Sequence, residues 1–393
     1  MISVAEALAR ILSLAGPLGT ETVPLAQSAG RVLAADAVAH RAQPPFAASA
    51  MDGYALADTP APGQVYRVIG TAQAGAAYGG SVGPGQAVRI FTGAPVPQGA
   101  TNVVIQEDVT RDGARIIIAE TLGDGPNIRP AGADFAAGHR LAAPRRLRPA
   151  DLALLAAMNC PDLTVTRRPE VAFIATGDEL VMPGEVPGAD QIVASNIFAL
   201  KAMAEVEGAR ARILPIARDS EAALAQMLDM ARGADVIVTI GGASVGDHDL
   251  VAKVAAASGM ERAFHKIAMR PGKPLMSGRL GGAVMLGLPG NPVSAIVCGH
   301  LFLLPLLRAL QGMPDPAPRP LQARLARDVA ANGPRAHYMR AALVQGDGLP
   351  LIDPFPDQDS GRLTPLAEAS ALLIRPVSDP ARLAGTPVDY FPL

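Results

Sequence analysis

Asp235-Val236-Ile237-Val238-Thr239-Ile240-Gly241-Gly242-Ala243-Ser244-Val245-Gly246-Asp247-His248-Asp249 is the stretch on which the fold class turns. A largely apolar, β-branched run of this length is a strand buried on both faces, and such strands belong to parallel sheets covered by helices. The glycines end the strand, and a helix pattern follows from about Asp249 to Ala257. The same unit recurs on either side. Val171–Ala175 is apolar and ends in Thr176-Gly177-Asp178-Glu179. Val284–Leu288 ends in Pro289-Gly290-Asn291-Pro292, ahead of a helix over Val293–Leu310. Helix patterns over Asn196–Glu207 and Glu221–Arg232 flank a strand at Arg212–Ile216. This alternation predicts a parallel α/β domain from residue 169.

Outward from that domain the composition changes. Residues 1–43 read as helical and end at Gln43-Pro44-Pro45. Residues 44–134 are rich in Gly and Pro, with short strand-like runs at Val65–Ile69, Ala87–Phe91, Asn102–Gln106 and Arg115–Ala119. They read as a small all-β module. Residues 135–168 return to a helix at Pro149–Met158 and a strand at Leu163–Thr166, which makes the β module an insertion. Four prolines within 313–320 mark a linker, and 321–393 read as a small β domain.

The bulk numbers exclude several classes. With 34 basic and 36 acidic residues in 393, the chain lacks the clustered basic excess of a nucleic-acid protein. A charged ligand must be held by local clusters. Cys160 and Cys298 form no CxxC pair, so neither a zinc site nor a disulfide framework is indicated, and their sparsity fits a reducing compartment. The N-terminus carries Glu6 and no basic leader region, so it reads as an amphipathic helix. His300 and Pro305 interrupt the longest apolar stretch, which reads as a buried helix rather than a membrane span. The expectation is a cytoplasmic protein with no membrane or nucleic-acid partner.

Ligands of open parallel sheets sit beyond the carboxyl ends of the strands. Gly241, Gly242 and Gly246 let the backbone approach an oxyanion, with Ser244 as a hydroxyl donor. Asp247 serves equally well as a helix cap. Carboxylates beside a phosphate repel it unless a cation lies between, so Glu179 and Asp249 suggest Mg²⁺, which takes one or two carboxylates plus phosphate oxygens. Asp219 could be a third, or the cap of the helix near Glu221. Lys266, Arg270 and Lys273 lie within eight residues. If 264–270 is extended, the first two share a face, and the Pro271-Gly272 turn folds Lys273 back toward them as an oxyanion cradle. The two prolines of Pro289-Gly290-Asn291-Pro292-Val293-Ser294 fix the donors near Ser294, either for positioning or simply to start a helix. Asp52-Gly53 and Thr92-Gly93 read, on chemistry alone, as turns.

Taken together, six ordered strings resemble the molybdopterin molybdenumtransferases, the family of the gephyrin C-terminal region. They are Ser49–Ala55 (SAMDGYA), Phe91–Pro95 (FTGAP), Thr176–Leu180 (TGDEL), Gly241–Asp249 (GGASVGDHD), Met269–Pro274 (MRPGKP) and Leu288–Ser294 (LPGNPVS). The resemblance implies a homodimer with multidomain α/β plus β architecture. The parts would be a split helical domain (1–43 and 135–168), an inserted small β domain (44–134), a molybdopterin-binding α/β domain (169–317) and a C-terminal β-barrel (318–393). It implies insertion of molybdenum from molybdate into adenylylated molybdopterin, with Mg²⁺-assisted release of AMP. Functional positions of the family fall on Asp52, Thr92, Asp134, Glu179, Asp219, Asp249, Lys266, Lys273, Pro289 and Pro292. The adjoining Thr176, Gly177, Asp178 and Ser294 are expected at the substrate. Arg340 matches a position implicated in molybdate binding. Arg270 replaces the lysine of relatives, which keeps the charge but changes its geometry. Asp52 and Thr92 are expected to face the α/β domain of a partner subunit. Partners implied are a molybdopterin adenylyltransferase and acceptor molybdoenzymes.

Two other functions use similar folds. Adenylylating relatives carry Thr-Gly-Gly-Thr-Gly where this chain has Thr239-Ile240-Gly241-Gly242-Ala243-Ser244, and they lack the first 168 residues. A gephyrin-like scaffold depends on a further N-terminal domain and a long linker, neither of which is in this sequence.

Overall fold

The computed structural model describes residues 1–242, 250–346 and 348–393. Six strands form the central sheet: β1 (Glu170–Ala175), β2 (Arg210–Ile213), β3 (Val236–Ile240), β4 (Glu261–His265), β5 (Met276–Leu280) and β6 (Ala283–Leu288). Their order is β2-β1-β3-β6-β5-β4. The first four are parallel, as the apolar runs predict. β5 alone runs the other way, pairing antiparallel with both β6 and β4, and only Gly281-Gly282 separates it from β6. A two-residue Gly-Gly loop makes a hairpin and leaves no length for a crossover.

Helices cover both faces. On one lie α1 (Asn196–Val206) and α4 (Pro292–Cys298), the latter continuing to Leu310. In α1, Ile197, Leu200 and Ala204 recur at helical spacing and are buried against Phe173, Val238 and Leu286. Burial of the larger two contributes about 1.5–3 kcal/mol each. The opposite face carries α2 (Glu221–Met230) and α3 (Leu250–Ala257), packed on Ala172, Ile174 and Ile237. Between Pro292 and Leu310 one turn widens to π geometry at Gly299–Leu303, just ahead of Pro305, which has no N–H to donate. This stretch is long and apolar enough to cross a membrane, yet 72% of its 18-residue apolar window is buried inside the protein. It is the core helix of the α/β unit.

Residues 1–43 differ from the helical expectation. One helix, Val4–Ser13, is followed by Gly16-Pro17 and Gly19, and then by strands Thr20–Pro24 and Val32–Leu33. Gly and Pro stop the helix, and the β-branched Thr20, Thr22 and Val23 favour extended chain. The helix buries Ala7 and Ile11 in the α/β core, and its Arg10 Nη1 donates to Ala263 O at 2.9 Å. The strands instead pair with Arg145–Arg146 and Asp162–Thr166, closing a four-stranded sheet over the helix Pro149–Ala157.

Within 44–134 the four expected strands form, joined by Gly53–Leu56 and Val109–Asp112 in one six-stranded sheet. The Asp52-Gly53 turn expectation fails at Gly53, which begins a buried central strand. A Cβ there would stand 2.0 Å from Val104 O, so close backbone approach demands the glycine.

Beyond Leu310 the chain forms β7 (Leu321–Leu325), β8 (Ala336–Val344), β9 (Leu351–Pro354), β10 (Ala371–Arg375) and β11 (Pro387–Pro392). Pairings β8-β9-β7-β11-β10 and β10 back to β8 close a five-stranded barrel. The two-residue strand Met269–Arg270 pairs with the start of β8 and ties the barrel to the central sheet.

Candidate active site

The chain leaves β1 for β2 on one side and reaches β3 on the other, so the crevice beyond β1 and β3 is the topological switch point. A 1340 Å³ cavity opens there. Its floor is the three strand-end turns the sequence singles out. Thr176, Gly177 and Glu179 come from β1, Gly241 and Gly242 from β3, and Pro289 and Pro292 from β6. The turns lock together through Thr176, whose amide donates to Ile240 O at 3.0 Å. A Cβ on Gly241 would stand 2.7 Å from Thr176 O, and Gly241 has φ +96°. Only glycine fits both demands.

Asp219 lines the same cavity. It is not the cap of α2, since Ser220 performs that role by accepting from Ala223 N. Asp178 does not line the cavity. Its Oδ1 accepts from Asp219 N at 3.1 Å, and its carbonyl accepts from Arg218, so it positions the neighbouring carboxylate. Lys273 also reaches the cavity.

A second cavity of 740 Å³ adjoins the first and shares Lys273, Pro274 and Asn291 with it. It lies between the central sheet and the barrel. Arg270 and Ser294 line it, as does Arg335. Asn291 Nδ2 donates to Ser360 Oγ at 3.0 Å, and Val293 N donates to Ser360 O at 3.1 Å, so the 355–362 segment of the barrel is docked on the start of α4.

Two expectations fail here. The segment 264–270 is not one extended strand. Lys266 has φ +69° and breaks it, with Lys266 N bonded to Leu275 O. The Pro271-Gly272 turn does fold the chain back, since Ile267 N donates to Lys273 O at 3.0 Å, yet Lys266 lines neither cavity. A left-handed non-glycine residue is an uncommon conformation held by its surroundings.

Arg340 lines neither cavity either. It is 1% exposed, with Nη1 donating to Arg362 O at 2.8 Å and Nη2 to Asp357 O at 3.0 Å. Gln358 bonds both backbone polar groups of Arg340. The guanidinium is spent on the 355–362 segment and is a strut for it. Arg335 and His337 are the residues the sequence reading missed. The strand period of two places them on one face and Arg340 on the other, which is the signal that could have found them.

Asp52, Thr92 and Asp134 lie away from both cavities within this chain. Thr92 donates to Asp52 Oδ1 through its amide and its hydroxyl, each at 2.7 Å. Those bonds hold the Asp52 carboxyl below the usual carboxylate range. Asp134 is exposed, and its amide donates to Gln43 O. Ser244, Gly246 and Asp249 lie outside the described residues. Glu221 and Lys253 also line the first cavity and are ion-paired with each other.

Comparison with known proteins adds three domain matches in order along the chain. Residues 2–159 match the MoeA N-terminal region (domain I and II), 172–309 a probable molybdopterin binding domain, and 322–393 the MoeA C-terminal region (domain IV). A molybdopterin molybdenumtransferase of Nostoc sp. is 35% identical over 376 residues, covering 92% of this chain and 86% of that protein. Molybdopterin molybdenumtransferase 2 of Mycobacterium tuberculosis is 35% identical, covering 95% of each. A crystal structure of the molybdopterin biosynthesis MoeA protein from Pyrococcus horikoshii superposes with a TM-score of 0.83 at 30% identity, over 100% of this chain and 99% of that one.

Proposed function

The chain belongs to the molybdopterin molybdenumtransferase family and is a transferase of molybdenum cofactor biosynthesis; from that premise we propose that its two joined cavities divide one reaction between them. The first takes the pyrophosphate and nucleotide of adenylylated molybdopterin. The second takes molybdate. The observation that carries this reading is the shared wall: Lys273 and Asn291 face both cavities, so an oxyanion in one adjoins a ligand in the other.

The residues support such a division. Backbone groups of the Gly241-Gly242 turn and the start of α4 suit phosphate oxygens. Arg270, Lys273 and Arg335 supply three positive charges around the smaller cavity, enough to hold a doubly charged tetrahedral oxyanion. A guanidinium at 270 offers a fork where an ammonium would offer a point charge.

Glu179 and Asp219 in one cavity fit Mg²⁺. Among the described residues no three His, Cys, Asp or Glu side chains cluster as a metal cage. Mg²⁺ needs none, because it takes one or two carboxylates and completes its shell with phosphate oxygens and water. When bound, it would neutralise charge on the phosphoanhydride. The chain's own part is to hold the pyrophosphate against the glycine turn, fix the oxyanion beside it, and keep both reactants in one orientation.

The wider reading follows from the same premise. The enzyme works as a cytoplasmic homodimer, Asp52 and Thr92 of one subunit approach the cavities of the other, and an adenylyltransferase and acceptor molybdoenzymes are its partners. Ile192 lines the first cavity and is 59% exposed, which supports coverage by a second copy. Incubating the purified protein with adenylylated molybdopterin, molybdate and Mg²⁺ tests the function. AMP release that requires molybdate is expected, and release no higher than background would contradict it.

A further inference from the structure

Resting on the reading of the second cavity as the oxyanion site, we propose that His337 is a binding residue there, donating its Nε2–H to the bound oxyanion. Its side chain lines the cavity although the residue is only 7% exposed, and its buried Nε2 has no hydrogen-bond partner among the described residues. A buried polar nitrogen without a partner is rare unless a ligand completes it.

The surroundings decide what that ligand is. His337 sits opposite Arg270 on the strand Met269–Arg270 and opposite Arg375 on β10. Arg375 is spent on Asp379, at 2.6 Å, and on backbone carbonyls, and Arg340 is spent on the 355–362 segment. Arg270, Arg335 and Lys273 remain facing the cavity. Asp359 also lines it, but its Oδ1 is turned to Gly361 N at 2.8 Å. The cavity is therefore positive, and a neutral donor among three cations completes a shell for an anion rather than for a metal ion.

Burial, then the charges of Arg270, Arg375, Arg335 and Arg340, push the imidazole down to about 4. It is neutral near pH 7 and carries one N–H. With that proton on Nε2, the ring adds a directed donor without adding charge. The Arg side chains supply attraction, and His337 supplies an oriented contact.

Titrating the full-length protein with sodium molybdate in a calorimeter at mildly alkaline pH tests this. His337→Phe is expected to weaken molybdate roughly ten- to hundredfold, the loss of one hydrogen bond to a charged group. His337→Gln keeps an N–H of similar reach and recovers most of that loss. Arg270→Ala abolishes the heat. Affinity of His337→Phe within about twofold of the parent, with Arg270→Ala still silent, would remove His337 from the site and leave the cavity reading standing. A silent parent protein, or a parent-like Arg270→Ala, would overturn the cavity reading itself. If thermal melts find His337→Phe unfolded, His337→Leu takes its place under the same criteria.

Discussion

Replacing Lys273 by alanine is expected to lower molybdate-dependent AMP release by about a hundred- to a thousandfold, the usual loss when one preorganised charge is removed from a transition state. The fold should survive. Lys273 is anchored by its backbone, whose carbonyl accepts from Ile267 N. Because the ammonium faces both cavities, two measurements should move together: the rate at saturating substrate and the molybdate concentration needed to reach it. Lys273→Arg keeps the charge and should retain a measurable part of the rate. A Lys273→Ala enzyme within about threefold of the parent would separate Lys273 from the chemistry.

Arg340 makes the second large prediction, and its sign distinguishes two roles. A side chain that only touched molybdate could be changed to methionine with little loss of stability. A buried strut cannot. Arg340→Met strips hydrogen bonds from the carbonyls of Asp357 and Arg362, and should cost about 3–5 kcal/mol, read as a lower urea midpoint. Ser360 and Gln358 line the second cavity on the segment that Arg340 holds, so molybdate affinity should fall as well. Arg340→Lys reaches at most one of the two carbonyls and should fall between. Unchanged stability in Arg340→Met, with weakened molybdate binding alone, would return Arg340 to the role of a direct ligand.

The parts of the fold readable from sequence were those where one local pattern decides the outcome. Val236–Ile240 and Ala283–Leu288 are short, largely apolar runs that read as doubly covered strands, and the glycine and proline turns after them end them. Residues 1–43 mixed signals: the apolar spacing of Val4–Ser13 ran into Gly16-Pro17, and the short strands beyond are decided by partners more than 100 residues away. Gly53 looked like a turn residue because its real constraint, the carbonyl of Val104, is invisible in local sequence. At the site, the strand-end residues Thr176, Glu179 and Gly241 were legible because sheet topology fixes where strand ends meet. Arg335 and His337 were not, since the cavity they line exists only once the barrel docks on α4. Arg340 bonds the 355–362 segment instead of lining the cavity, and a motif position carries no information on which face of a strand its side chain takes.

The central claim is that molybdate occupies the smaller cavity while the nucleotide phosphates occupy the larger. Crystals soaked with molybdate, AMP and Mg²⁺ test it through the anomalous signal of molybdenum. The account predicts a molybdenum peak among Arg270, Lys273 and Arg335, with the AMP phosphate against Gly241 and Gly242. A molybdenum peak outside that cavity, with the cavity itself empty, would contradict it.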